Sequence, residues 1–457
     1  MGIPWDRLNF FDWMNWGRDY CPWLIVGKGP SFAPERVADF GFPFNVVGMN
    51  HVAREIPVYF SHIADYDIVD AYGEVIKRNA KFLIMPWNPY YKAQPTVETL
   101  ETLSEKIPAL KRMAKEERVL WYDTAGSRIQ RGRGKYPTIR HRRYTTAGVV
   151  NLLAQAGVKT IRTLGIDGGI TYANAFKDLE QTTLLANGEL SFDKQFEDVA
   201  GVLFKTGVDF APLGCDSPIR VYIGASRREA LPAKVLEFSI RRRASITTEV
   251  VQMYEAAPPV RLPKRPENRP RTAFSFQRFQ APALAGYKGR AIYLDSDMLA
   301  LQDFRWLWTA PMCGADALTV EQPYGVPHGN RPGVRSAMML LDCNKVRWDI
   351  DLIVDALDAG ETTYRDLLEL RGIVDIKQQP LDRAWNSLEY HHPGKTAILH
   401  YTDLGTQPWA VEGNPLEHLW LDELRAAIEA GFITREFVEK EIEAGHVRPM
   451  LKEALCD

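Results

Sequence analysis

Cysteine is scarce: Cys21, Cys215, Cys313, Cys343 and Cys456 lie far apart, with no C-x-x-C pair and no zinc-ligand spacing. That excludes a disulfide framework and predicts reduced, mostly buried thiols in a cytosolic protein. No apolar run approaches the roughly 18 residues that a membrane span requires. Asp6 and Arg7 interrupt the N-terminal stretch where a signal peptide would be continuously apolar, so a soluble chain is expected. An excess of one charge is missing as well. The 56 basic and 58 acidic side chains leave a net charge of -2, so neither a broadly basic nucleic-acid binder nor a disordered charged tail is indicated, and no nucleic-acid partner is expected. No repeat of solenoid period is present.

What is there is an ordinary globular composition, 46% hydrophobic and 25% charged over 457 residues. At roughly 100 to 200 residues per domain, that length predicts two or three domains. Two strand-like starts are each followed by alternating strand and helix patterns. The first is Trp23-Leu24-Ile25-Val26, with later apolar runs at residues 44–47, 82–85 and 119–122 that have the length of buried parallel strands. The second, Ile219-Arg220-Val221-Tyr222-Ile223-Gly224, follows the turn-rich stretch 211–218, where the boundary is placed. The expected fold class is α/β, with domains at 1–215 and 216–412 and a helical extension at 413–457. Apolar residues at helical spacing (Leu419, Leu424, Ile428, then Phe437 and Ile442) predict two amphipathic helices in that extension. The aromatic cluster Trp5, Phe10, Phe11, Trp13 and Trp16 is read first as packed against its own domain, with a membrane surface as the alternative. Residues 127–143, with six arginines, and residues 255–271, with five prolines, read as mobile solvated loops. For the arginine loop, an anion clamp is the functional alternative.

The most informative segment is Ile292-Tyr293-Leu294-Asp295-Ser296-Asp297, an apolar strand ending in two carboxylates around one serine. Such a D-x-D can present hard oxygen ligands to Mn²⁺ or Mg²⁺, which in turn neutralises a diphosphate. Upstream, residues 221–230 have the shape of a first strand and a nucleotide-facing loop, followed by a helix over 234–243. Residues 272–279 are expected to start a helix carrying Arg278, and residues 396–401 form a short strand ending in His400, with Gly405 and Gln407-Pro408-Trp409 after it.

This ordered set resembles the retaining glycosyltransferases of the GT-A fold, in particular glycosyltransferase family 8, over residues 218–409. The resemblance implies that Asp295, Asp297 and His400 hold a divalent metal, Mn²⁺ or Mg²⁺. It further implies that Ile223, Gly224, Ala225, Ser226 and Ser296 line the nucleotide, and that Arg278 faces the sugar diphosphate. Asp366 is nominated as a further catalytic carboxylate, beside the reading of an exposed helix residue. No protein nucleophile is nominated, because the departing phosphate of such enzymes is thought to assist the incoming hydroxyl. Three departures stand out. Gln407 replaces the family's lysine, Arg335 replaces an asparagine before Ser336, and the family's D-Q-D segment has no clear counterpart.

In the first domain, Gly27-Lys28-Gly29-Pro30-Ser31 follows a buried strand and predicts a tight turn and a helix N-terminus suited to phosphate. Thr145-Thr146-Ala147-Gly148 opens a helix, and residues 158–169 read as a strand ending in a second glycine turn. Together these resemble the Rossmann-like domain of the 6-hydroxymethylpterin diphosphokinase MptE-like family and, more distantly, the bacterial sialyltransferases. The resemblance implies a nucleotide or sugar-phosphate pocket at Gly27, Gly29, Ser31, Asn50, Thr146, Gly165 and Asp167.

The expected activity is metal-dependent, retaining transfer of a sugar from a nucleotide donor, UDP-linked by family habit, to a glycan or glycolipid acceptor. The rival expectations are a bifunctional two-site transferase and a nucleotide-sugar-binding scaffold without turnover. The expected place is the cytoplasm, with peripheral association at the inner face of a membrane as the alternative.

Overall fold

The computed structural model describes residues 2–15, 22–127, 129–140, 144–182, 192–272, 274–321 and 335–455. The chain divides into two compact units, Met1–Cys215 with Ser245–Thr247, and Asp216–Ala244 with Thr248–Asp457. The class is α/β.

The first unit is built on an eight-stranded parallel sheet. Its strands are β1 (Trp23–Val26), β2 (Val46–Met49), β3 (Val58–His62), β4 (Ala80–Pro86), β5 (Val119–Thr124), β6 (Thr138–Ile139), β7 (Thr160–Leu164) and β8 (Asp209–Pro212). They are ordered β6-β5-β4-β3-β2-β1-β7-β8. All four residues of β1 are buried, because helices cover both faces of the sheet. The two-residue period sorts them between the faces: Leu24 and Val26 enter one core with Ile68 and Ile76 of helix Tyr66–Asn79. Trp23 and Ile25 enter the other with Val149 and Leu153 of helix Thr145–Gln155 and Val199 of helix Gln195–Thr206. The last of these helices ends at Gly207, whose φ of +65° is the left-handed cap that glycine adopts without a Cβ clash. The N-terminal aromatics pack inward. Trp121 Nε1 donates to the Trp5 carbonyl, and Phe10 and Phe11 are buried in the second core, while Trp16 lies outside the described residues.

Part of the arginine-rich stretch is tied down. The Asp123 carboxylate accepts the backbone N–H groups of Arg131 and Gly132 at 3.0 and 2.7 Å, and the Arg131 guanidinium lies over Trp87 at 4.6 Å. Arg128 and residues 141–143 lie outside the described residues.

The second unit contains β9 (Ile219–Gly224), β10 (Thr248–Gln252), β11 (Arg290–Asp295), β12 (Met298–Ala300), β13 (Ala317–Thr319), β14 (Met338–Asp342), β15 (Gln378–Pro380), β16 (Ser387–Leu388) and β17 (Ile398–His400). Six form a mixed sheet ordered β10-β9-β11-β14-β13-β15, and three form a small one ordered β12-β17-β16. Strands β10, β9 and β11 run parallel, and β14 runs against β11. Helix Ala230–Arg243 packs beside helix Glu417–Glu429, where Arg243 forks onto the buried Glu423 at 2.9 and 2.7 Å. A second tail helix spans Arg435–Glu443.

Two local expectations differ from what forms. Arg278 sits in a short 3-10 turn, Gln277–Gln280, ahead of helix Ala281–Leu284, rather than in a helix beginning near residue 272. The proline-rich stretch is no mobile loop: Lys264 N–H donates to Asp358 Oδ1 and Asn268 Nδ2 to the Leu357 carbonyl, so it is pinned along helix Ile350–Ala359.

Candidate metal centre

Strand β11 ends at Asp295 in parallel register with Gly224 of β9. The chain then turns through Ser296 and Asp297 into β12, whose Met298 pairs with His400 of β17. The Tyr401 N–H donates to the Asp297 carbonyl at 2.8 Å, which closes the turn against β17. Residues distant in sequence thereby meet: one ligand atom from each of Asp295, Asp297 and His400 lies within 4.8 Å of the others. His400 Nε2 stands 3.0 Å from Asp297 Oδ1. His400 Nδ1 pairs with Asn386 Oδ1 at 2.8 Å. An amide oxygen there requires a proton on Nδ1, which turns the Nε2 lone pair of a neutral ring toward the carboxylates.

Asp295 is held from behind. Arg278 Nη2 donates to its two oxygens at 2.9 and 3.2 Å, and the Tyr293 hydroxyl donates to Oδ1 at 2.8 Å. Tyr293 reaches it because residues two apart on a strand share a face. A Cβ on Gly224 would lie 2.0 Å from that hydroxyl, so the glycine leaves room for the network. Arg278 also donates to the Ser275 carbonyl and to Ser336 Oγ. The guanidinium is therefore buried against Asp295 rather than presented to a ligand, a change from the expected contact with a diphosphate.

The charge states follow from this packing. Burial raises the Asp295 carboxyl above its ordinary value, Arg278 opposes the rise, and Asp297 adds to it. Burial pulls His400 down, but Asp297 and Asp295 outweigh it and leave the imidazole above its ordinary value. Burial lifts the Tyr293 phenol well above its usual range, so it stays a donor at neutral pH. Two carboxylates and an imidazole, with Asp297 the least buried, match the oxygen and nitrogen donors that Mn²⁺ accepts. Among the described residues, Ser296 Oγ is buried without a hydrogen-bond partner. The donor set can hold a divalent metal.

The other nominated residues are placed differently. Ile223 and Ala225 have fully buried side chains, the Ala225 N–H donates to Gln277 Oε1, and Ser226 caps the turn Arg227–Glu229 in a reciprocal bond with Glu229. Asp366 is half-buried and caps helix Tyr364–Leu368 through Thr363, and among the described residues it makes no hydrogen bond to the Asp295 group. Gln407 is buried, and its Nε2 reaches Asp297 Oδ2 at 3.4 Å and the Tyr401 carbonyl at 3.0 Å. Arg335 stands 3.4 Å from Glu321. Tyr293 was not singled out from the sequence, although its position two before Asp295 would have marked it. The role of Asn386 depends on where β16 pairs, which the sequence alone does not show.

In the first unit, the expected phosphate cradle is closed. Gly27 N–H donates to the Leu164 carbonyl, Gly29 N–H to the Gly165 carbonyl, Ser31 N–H to Asp167 Oδ2 and Gly165 N–H to Ser31 Oγ, at 2.7–2.9 Å. These donors stitch the ends of β1 and β7 to each other, and the next helix, Pro34–Ala38, starts only after an extended Ala33. Thr146 Oγ1 is buried and donates to Gln195 Oε1.

No family model matches the chain. Protein CDI of Arabidopsis thaliana is 35% identical over 228 residues, which cover 45% of this chain and 86% of that protein. Among solved structures, similar chains include the galactosyltransferase LgtC in complex with donor and acceptor sugar analogs, at 14% identity and a TM-score of 0.33, covering 49% of this chain and 100% of that one. The bifunctional glycosyltransferase WbbM, in its apo structure, is 13% identical at a TM-score of 0.33 over 89% of this chain and 97% of its own. The glycosyltransferase GlyE of Streptococcus pneumoniae is 12% identical at a TM-score of 0.33 over 51% of this chain and 64% of its own.

Proposed function

This chain belongs to the family of Protein CDI of Arabidopsis thaliana, and we propose that it is a metal-dependent glycosyltransferase, with a nucleotide sugar as donor. The convergence of Asp295, Asp297 and His400 at the end of a parallel strand carries this reading. These three residues would hold the cation, which when bound neutralises charge developing on a departing nucleoside diphosphate. Arg278 and Tyr293 fix the Asp295 carboxylate. Asn386 fixes the ring of His400, and Gln407 braces Asp297. Positions set in advance stabilise a charged transition state without reorganisation at the moment of reaction.

The finer terms of the proposal are a UDP-linked donor, retention at the anomeric carbon, and a glycan or glycolipid acceptor met in the cytoplasm or at the inner face of a membrane. We assign the transfer to residues 216–412 and treat 413–457 as a supporting helical extension.

Hydrolysis of UDP-sugars with and without Mn²⁺ tests the reading. The expected result is turnover that requires Mn²⁺ and disappears in Asp297→Asn. Tight binding of UDP-sugar with no hydrolysis and no transfer to any acceptor would replace it with a binding role.

A further inference from the structure

The first unit carries a second constellation that the metal centre does not use. In a parallel sheet whose winding reverses, the crevice lies at the carboxyl ends of the two strands where it reverses. Here the sheet winds outward from β1 through β2 to β6 and resumes on the other side with β7, so the point lies between β1 and β7. Lys28 follows β1, and Asn50 and His51 follow β2.

The groups gathered there are poorly satisfied. The Lys28 ammonium is half-buried and makes no hydrogen bond or ion pair among the described residues; it rests on the face of Tyr172, 4.4 Å from the ring centroid. Burial, and then the charge of Arg54, pull its pKa down to about 8. Among the described residues His51 Nδ1 and Asn50 Oδ1 are buried without hydrogen-bond partners, and Asn50 holds a φ of +52°. Burial, Lys28 and Arg54 together push the His51 imidazole down to about 4, so it is neutral. Arg54 is paired with Asp178 and Glu55, and its Nη2 donates to the Ala175 carbonyl at 3.1 Å. Lys28 is therefore the cation there without a direct hydrogen bond or ion pair among the described residues, with the Asp178 carboxylate acting on it only at longer range. A cation kept half-buried without a partner is costly, and an anion that joins it recovers that cost.

Beside these groups is a cavity of about 390 Å³. Tyr172, which carries Lys28, and Ala175, which anchors Arg54, both line it, along with Phe32, Pro30 and Pro34. Its wall joins Phe32 and Tyr172 to the polar Thr171 and Asn174, and Lys28 and Arg54 stand one contact behind it through Tyr172 and Ala175, a combination that suits a ring bearing an anionic group. The backbone donors of Gly27, Gly29 and Ser31 are already used, so the anion must be met by side chains.

The geometry points to a ligand site in the first unit at which Lys28 binds the phosphoryl group of a small ring compound, a sugar phosphate or a nucleotide, whose ring lies in the Tyr172 and Phe32 cavity. This does not rest on the metal centre.

The test is amine labelling of Lys28 at pH 8 in the full-length protein, read by mass spectrometry, with inorganic phosphate, glucose 1-phosphate or UMP as protectant, and calorimetry alongside. One ring compound is expected to protect Lys28 at a concentration at least about tenfold below that of inorganic phosphate. Whichever protects better identifies the ring as sugar or nucleoside. Lys28→Gln is expected to weaken binding at least about tenfold and Lys28→Arg to retain it. Melting of Lys28→Gln at or above the wild-type temperature shows that the fold is intact. Unchanged labelling with all three compounds, or equal binding by wild type and Lys28→Gln, overturns the site. Equal protection by phosphate and both ring compounds overturns the ring assignment.

Discussion

Asp295 is fully engaged in the folded chain, with Arg278 on both oxygens and the Tyr293 hydroxyl on one. Arg278→Ala would leave that carboxylate buried without its counter-charge, so a loss of about 3–5 kcal/mol is expected in denaturant unfolding. A loss below 1 kcal/mol, on the order of an exposed pair, would show that the pair is not structural. His400 gives a pH test with two opposed curves. Its pKa is raised in the folded, metal-free chain, so its stabilising effect is complete below its unfolded value and fades as pH rises through the folded one. Metal binding needs the neutral ring, so Mn²⁺ affinity rises over that same interval. Calorimetry across pH should therefore show affinity growing where metal-free stability declines, and His400→Gln should flatten both. Asp295, Asp297 and His400 are residue types whose chemistry is readable one at a time. Tyr293 and Asn386 act through position alone, and their roles become visible only once strand register is known.

Tight meetings between elements explain several glycines and one buried acid. A Cβ on Gly27 would lie 2.4 Å from the Gly165 carbonyl oxygen, a backbone atom that cannot step aside. Gly27→Ala is expected to force β1 and β7 apart at a cost of about 1–3 kcal/mol, read as a lower unfolding midpoint. The glycine turns look in sequence like a phosphate loop, but they serve strand-to-strand approach, and sequence pattern cannot separate these uses. Glu423 binds helix Glu417–Glu429 to helix Ala230–Arg243 through Arg243. Glu423→Ala should destabilise the second unit by about 1.5–3 kcal/mol, measured by thermal or denaturant melting. Long apolar strands such as β4 and β5 were legible as runs. The two residues of β6, and the short β13 and β15 at the far end of the mixed sheet, carry too little pattern to be seen before the pairing exists.

At the scale of the whole molecule, the chain comprises two units, and the account assigns each its own chemistry: a cation with the acids and imidazole of the second, a phosphoryl group with Lys28 of the first. Asp297→Ala is accordingly expected to abolish the Mn²⁺-induced rise in melting temperature while leaving the protection of Lys28 unchanged. The turn between β8 and β9 was readable from the turn residues of 211–218. The course of the tail was readable from helical spacing, since α-helical period is a local property. The candidate metal-binding trio of the second unit was reached from the sequence through its family resemblance, whereas the meeting of Lys28 with Tyr172 in the first unit is a matter of side-chain convergence and was not. The most direct measurement is diffraction at the manganese absorption edge from crystals grown with Mn²⁺ and UDP. The account predicts an anomalous peak at ligand distance from Asp297 and His400, lost in Asp297→Ala; density there without manganese, or a peak that persists in the variant, would contradict it.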